Sequence, residues 1–235
     1  MRAGREENKI MIIHLIDVFS GTDAGNISTS VRLLLLLTVL SIAPSILILM
    51  TSFARIIIVL SFVRTSLATQ QMPPNQVLIG LALFMTFFIM APTFQEVNEQ
   101  ALQPLFNEEI TLEEAYDSAS MPMKEFMAQH TREKDLALFM NYAEMERPDT
   151  LEEVPLTTLV PAFAISELKT AFQMGFMIFV PFLVIDMAVA SVLMSMGMMM
   201  LPPVMISLPF KILLFVLVDG WYLITRSLLD GFLPL

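Results

Sequence analysis

The sequence predicts an all-α, membrane-associated protein built as two kinked helical hairpins, four hydrophobic segments in all, that flank a small acidic helical domain. Three observations carry the prediction. Of the 235 residues 56% are apolar and only 15% charged, where a soluble domain carries about 25% charged residues. The apolar residues lie in long runs almost free of ionisable groups. The charge is also segregated: the chain has a net −10, but Gln95 to Glu153 holds 15 acidic and 4 basic residues, a net of −11, and the remainder is close to neutral.

Residues 1–30 form an N-terminal segment. Its beginning, "MRAGREENKIMIIHLIDVF", has the charged start and short apolar run of a signal peptide. Glu6, Glu7, His14 and Asp17 interrupt both parts and no small-residue cleavage site is clear, so an interfacial amphipathic N-terminus accounts for it equally well.

The first hairpin is expected over 31–94. Leu33 to Ala54 contains no ionisable side chain, and as a helix it would extend about 33 Å, enough to cross the hydrocarbon core of a bilayer. The apolar character continues past Arg55 to Val63, and a second charge-free run covers Val77 to Phe94. Between them "RTSLATQQMPPNQ" is polar and contains Pro73-Pro74, which a helix interior does not accept.

The acidic domain is expected over 95–160. Thr111 with Glu114, and Thr150 with Glu153, have the spacing of capping boxes at helix starts. The second hairpin, 161–235, follows: Ala171 to Leu201 carries one charge, Asp186, and Val204 to Leu229 carries Lys211, Asp219 and Arg226. Pro44, Pro92, Pro181 and Pro209 interrupt the runs. In lipid each backbone bond lost at a proline is re-satisfied by neighbouring protein or water, so such helices suit an assembly better than isolation. An even number of crossings places both termini and the acidic domain on one side, taken as extracytoplasmic because the domain is poor in Lys and Arg.

Several functions are excluded. The absence of cysteine removes disulfide and thiolate chemistry, and two histidines, His14 and His130, do not make a histidine metal site. No basic stripe exists to neutralise nucleic-acid phosphates. No phosphate loop, nucleophile elbow or metal-spaced cluster is present. The expectation is therefore no enzyme, no catalytic residue, no cofactor and no metal.

Two groups of residues remain. "MGMMMLPPVMISLPF", 196–210, sets Met198, Met199 and Met200 between Gly197 and Pro202-Pro203. Methionine adapts to irregular core gaps, but three consecutive helical residues spread around the helix and cannot all face one neighbour. With Gly197, Pro202 and Pro203 as its hinges, an unwound loop suits the triplet better. The second group is the charges within apolar sequence, Glu167, Lys169, Asp186, Lys211 and Asp219, which at membrane depth would face protein and pair. Asp186 and Asp219 on adjacent helices could share a proton, as aspartyl dyads do, or relay protons in an ion-coupled transporter or channel. "VIDMA" and "VDGW" lack the local motifs of intramembrane aspartyl proteases.

"MTSFARIIIVLSFVRTSL" (50–67), "PPNQVLIGLALFMTFFIMAP" (73–92), "PAFAISELKTAFQMGF" (161–176) and "VLMSMGMMMLPPVMISLPFKILLFVLVDGW" (192–221) resemble the signature blocks of the FliP family of flagellar export-gate proteins. Four blocks in order make the resemblance specific. Family members begin with a recognisable cleavable signal, from which the first thirty residues here depart. The resemblance implies a non-enzymatic core component of the type III export apparatus in the bacterial inner membrane and flagellar basal body, with the acidic domain periplasmic. It implies a homo-oligomeric ring of five copies that assembles with FliQ-like and FliR-like subunits and works with FlhA-like and FlhB-like components. Unfolded flagellar export substrates pass through its centre, membrane lipid surrounds it, and nucleic acid is no partner. In this reading Met198, Met199 and Met200 repeat around the ring as a soft gasket, and the positions of Arg132, Glu167 and Lys211 form salt bridges between neighbouring subunits.

Overall fold

The computed structural model describes residues 29–69, 71–145, 148, 150–198 and 201–233, and among these every regular element is helical. The N-terminal signal-like stretch lies outside the described residues. The first helix, α1 (Thr29–Leu49), is the leucine-rich run, and Thr38 donates its hydroxyl to the Leu34 carbonyl one turn back, which satisfies it without a partner. The sequence predicts an unbroken run to Ala54 and beyond. Instead the helix stops at Leu49 and α2 (Phe53–Ser66) begins after Met50-Thr51-Ser52. Hydroxyl residues compete for helix carbonyls, and Thr51 donates to the Ile48 carbonyl at 3.3 Å at this break.

The Pro73-Pro74 turn then joins α2 to α3 (Asn75–Val97). Arg64 closes it, donating to the Asn75 side chain and to the Pro73 carbonyl, while Thr69 donates to the Met72 carbonyl. Beyond α3 come a π-helical segment, Asn98–Leu102, and a single turn, α4 (Gln103–Phe106). Next are α5 (Leu112–His130), α6 (Glu133–Tyr142) and a short 3-10 turn, Leu151–Glu153. The longest element is α7 (Leu156–Ser195), 40 residues or about 60 Å. It is followed by α8 (Pro203–Leu217) and α9 (Gly220–Asp230). Pro44, Pro92, Pro181 and Pro209 all lie inside helices that continue through them. The four prolines therefore do not divide the runs; the hydroxyl residues at 51–52 and the glycine turns do.

Among the described residues two helical stretches, Asn75–Phe106 and Leu156–Ser195, are long and apolar enough to cross a membrane. Helices α8 and α9 make a third if their 61° bend is taken within one span. The bend is written in "VDGW". Asp219 takes the left-handed conformation (φ 51°, ψ 54°), which aspartate tolerates better than most residues. Gly220 lacks the Cβ that would lie 2.4 Å from the Phe215 ring, and that ring meets Trp221 edge-on at 5.3 Å.

The chain divides into two compact units. One comprises the residues up to Thr51 with Pro92–Ala164. Its core is small and methionine-rich: Ala115, Met123, Met127, Met140 and Leu159 are buried, and Phe126 meets Phe163 edge-on at 5.9 Å. Thr111 and Glu114 form the predicted capping box at the start of α5. These bonds hold the Glu114 carboxyl below its ordinary value, so this contribution is present above the usual carboxylate range and fades as pH falls through it. The second predicted box does not form: Thr150 makes no side-chain cap and precedes only the 3-10 turn, with α7 starting at Leu156 instead. Lys124, nearly buried, donates to the Glu152 carbonyl at 3.0 Å and ties that turn to α5.

The other unit comprises Ser52–Ala91 and Ile165–Leu235. Here α2 buries Ile56, Val59, Leu60 and Val63, and Phe62 meets Phe172 of α7 edge-on at 5.4 Å. The helices approach closely at Gly175, where an added Cβ would lie 2.4 Å from Phe62 Cγ and 3.0 Å from its Cβ. Because the conflict is with the root of the ring, Gly175→Ala should cost about 1–3 kcal/mol by overpacking. Gly80 in α3 has open space around it, and Gly80→Ala should be neutral or stabilise by about 0.5–1 kcal/mol. Thermal midpoints of the two variants in detergent check this, and equal midpoints would remove the close approach from the account.

Candidate functional site

The methionine loop is produced by its sequence in a definable way. Helix α7 ends in a Schellman motif: the Met198 amide donates to the Leu193 carbonyl and the Gly197 amide to the Met194 carbonyl. Gly197 sits at φ +72°, the left-handed position that glycine fills without steric cost. At the far end Pro202 is extended and Pro203 occupies the first turn of α8, where a missing amide hydrogen costs nothing. Gly197 thus closes α7, and Pro202-Pro203 opens α8. Met198 is 42% exposed, and Met194, Met196, Leu201 and Met205 beside it are exposed as well. Met199 and Met200 lie outside the described residues.

Below the loop the two helices face each other through matched stripes. On α8, Ser207, Lys211 and Phe215 are buried at four-residue intervals, the spacing of one helix face. On α7, Phe182 meets Phe215 at 6.4 Å between ring centres, and Asp186 one turn on meets Lys211. The Lys211 ammonium donates to Asp186 Oδ2 at 2.6 Å and to the Ser66 carbonyl at the end of α2 at 3.2 Å. Ser207 donates to Asp186 Oδ1. Lys211 is 2% exposed, and Asp186 and the Ser66 carbonyl both belong to its own chain.

A second buried pair lies further down α7. Arg55 grips Glu167 bidentately, through Nε at 2.8 Å and through Nη2. Its Nη1 donates to the Gly231 carbonyl just beyond α9 at 3.1 Å, and its guanidinium carbon lies 3.7 Å from the centre of the Phe232 ring. The Glu167 side chain is fully buried and that of Arg55 is 5% exposed. A planar fork is the side chain best shaped to meet a carboxylate, a carbonyl and a ring at once. Sequence reasoning missed Arg55, Ser66 and Ser207. The available signal for Arg55 was its position as the one charge inside the apolar block "FARIIIVL", opposite an equally isolated Glu167.

The remaining expected residues have other settings. Lys169 is exposed on α7, Asp219 is exposed at the α8–α9 bend, and Arg132 is the half-buried N-cap residue of α6. A mostly apolar pocket of about 450 Å³ lies near Val59, Met177 and Ile224, with Gln173 and Ser227 as its polar lining.

Helices long and apolar enough to cross a membrane, with two buried ion pairs joining them, define an all-helical protein of membrane type. The FliP family model matches residues 36–228, and the chain belongs to the FliP family. It is 75% identical over 217 residues to the flagellar biosynthetic protein FliP of Bacillus subtilis (strain 168), covering 92% of this chain and 98% of that protein. It is 53% identical to the protein of the same name from Caulobacter vibrioides, covering 92% and 82% of the two chains. To that of Treponema pallidum it is 46% identical over 235 residues, covering 99% and 86%.

Removing one member of the lower pair leaves a buried charge without its partner, which typically costs about 3–5 kcal/mol. Arg55→Met and Glu167→Leu should each sharply lower the amount of folded protein in membranes. The combined Arg55→Met/Glu167→Leu chain should recover a large part of it, since paired removal of a buried ion pair is often neutral. Quantitative immunoblots of the three variants check this; a double variant no better than the worse single one would assign the loss to the Gly231 and Phe232 contacts instead.

Proposed function

We propose that this protein is a core, non-enzymatic subunit of the flagellar type III protein export gate. Five copies form a ring whose central pore carries unfolded flagellar substrates and is closed by the methionines of residues 198–200. FliQ-like and FliR-like subunits complete the gate, which works with FlhA-like and FlhB-like components in the bacterial inner membrane at the basal body. The observation that carries this reading is how the segment is bounded: Gly197 closes α7 and leaves Met198 exposed, and Pro202-Pro203 opens α8 four residues further on. Thioether side chains are apolar, flexible and polarisable, so several converging on an axis can part for a polypeptide and close against ions.

The pairing of charges bears on how copies associate. Arg132, Glu167 and Lys211 carry the proposed contacts between subunits. Because Glu167 and Lys211 are satisfied within their own chain, their contacts with a neighbour take the form of an added or exchanged partner. The rival reading, an ion- or proton-coupled transporter built on Asp186 and Asp219, gains nothing from the geometry. Asp186 is held by Lys211 and Ser207, and Asp219 serves the bend.

Replacing Met198, Met199 and Met200 together with alanine removes the gasket from every copy, since symmetry repeats the change around the ring. The expected outcome is a complex formed in normal yield that conducts small ions while export continues. A core-packing role predicts the opposite, poor assembly without a leak, because large-to-small changes in a packed interior cost about 2–5 kcal/mol each. Membrane conductance and complex yield, measured on the same cells, separate the two.

The two hairpins and the acidic helical unit between them are proposed to be arranged with the acidic unit on the periplasmic side. The chain has no cysteine, so a cysteine introduced at exposed Glu109 reports without background. It should react with a membrane-impermeant thiol reagent supplied from the periplasm. Reaction only after the cytoplasmic face is opened would reverse the topology.

A further inference from the structure

The Asp186–Lys211 pair stands at a particular place relative to the methionine loop. Met196 is ten residues beyond Asp186 on one side, and Pro202 is nine residues before Lys211 on the other, so the two arms leading to the loop are nearly equal, each about 15 Å as helix. Along those arms, among the described residues 187–198 and 201–206, only Leu193 is buried. The charged cluster is therefore the last extensive contact before the loop.

We infer that Asp186, Lys211 and Ser207 are positioning residues for the methionine loop, a polar clamp that fixes the register of α8 against α7. The chemistry suits that role better than apolar packing would. Two apolar stripes can slide by a turn with little change in the area they bury. An ammonium that must meet Asp186 Oδ2 and the Ser66 carbonyl together, with Ser207 on the other carboxylate oxygen, has one arrangement. The Ser66 carbonyl ends α2, where a cation is favoured by the helix dipole. Through it the clamp takes its bearing from a third helix, itself fixed to α7 by Arg55 and Glu167. A slip of one turn would shift the loop by about 5 Å, enough to take its methionines out of level with those of other copies. The consequence for sealing rests on the gasket reading above; the clamp itself does not.

The test uses the full-length chain carrying Asp186→Asn with Lys211→Met, which removes both charges together and leaves neither buried alone. Spin labels on cysteines at Ala188 and Met205, exposed positions on the two arms, report the distance between the arms in detergent. Small-ion conductance is measured in parallel on assembled complexes in membranes. The expected result is a broadened or shifted distance distribution together with conductance, normalised to the amount of assembled complex, above wild type. A broadened distribution with no leak supports the clamp and counts against the methionine seal. An unchanged, narrow distribution overturns the clamp whatever the conductance, because α8 would then keep its register by apolar packing alone.

Discussion

The architecture of the apolar half of this chain depends on neutralising charge without water. A guanidinium or carboxylate stripped of solvent is tolerable only with an opposite charge and filled hydrogen-bonding positions. Glu167 and Arg55 meet that condition with a bidentate contact, a backbone carbonyl and an aromatic face. Lys211 meets it with Asp186 and the end of α2. Both acids lie on α7, while their partners come from α2 and α8. The pairs thus do what apolar surfaces do poorly, choosing one arrangement of helices over neighbouring ones of similar buried area.

Much of this was legible in the chain. Helical class, the Thr111–Glu114 cap and the end of α7 at Gly197 follow from local chemistry, and local chemistry is what a sequence displays. The Schellman end at Gly197 is the clearest instance, because a single residue type at a single φ explains it. The partners of the buried charges were not legible. Arg55 and Glu167 are 112 positions apart, and Lys211 lies 145 from Ser66, so only the folded chain brings them together. Charge balance alone could pair Glu167 with Lys211 as readily as with Arg55.

Local signals also misled where two of them competed. Prolines at 44, 92, 181 and 209 read as interruptions, yet each is carried inside a continuous helix, and α7 passes Pro181 for its full 40 residues. The breaks fall at hydroxyl residues before Phe53 and at Asp219-Gly220, which hydropathy does not mark. At 219–220 the cause is a pair of residues rather than one: an aspartate that accepts a left-handed backbone and a glycine that leaves room for the Phe215 ring.

The grip of Arg55 on three different groups has a consequence for how this chain can vary over time. Substitutions that act through one shared network are not additive. Any single change at Arg55 or Glu167 must pass through a form weakened by about 3–5 kcal/mol, a large share of the about 5–15 kcal/mol that holds a typical domain folded. Positions 55 and 167, with 231 and 232 beside them, are therefore bound into one heritable unit. A lineage leaves that arrangement by nearly simultaneous changes or by first gaining stability elsewhere.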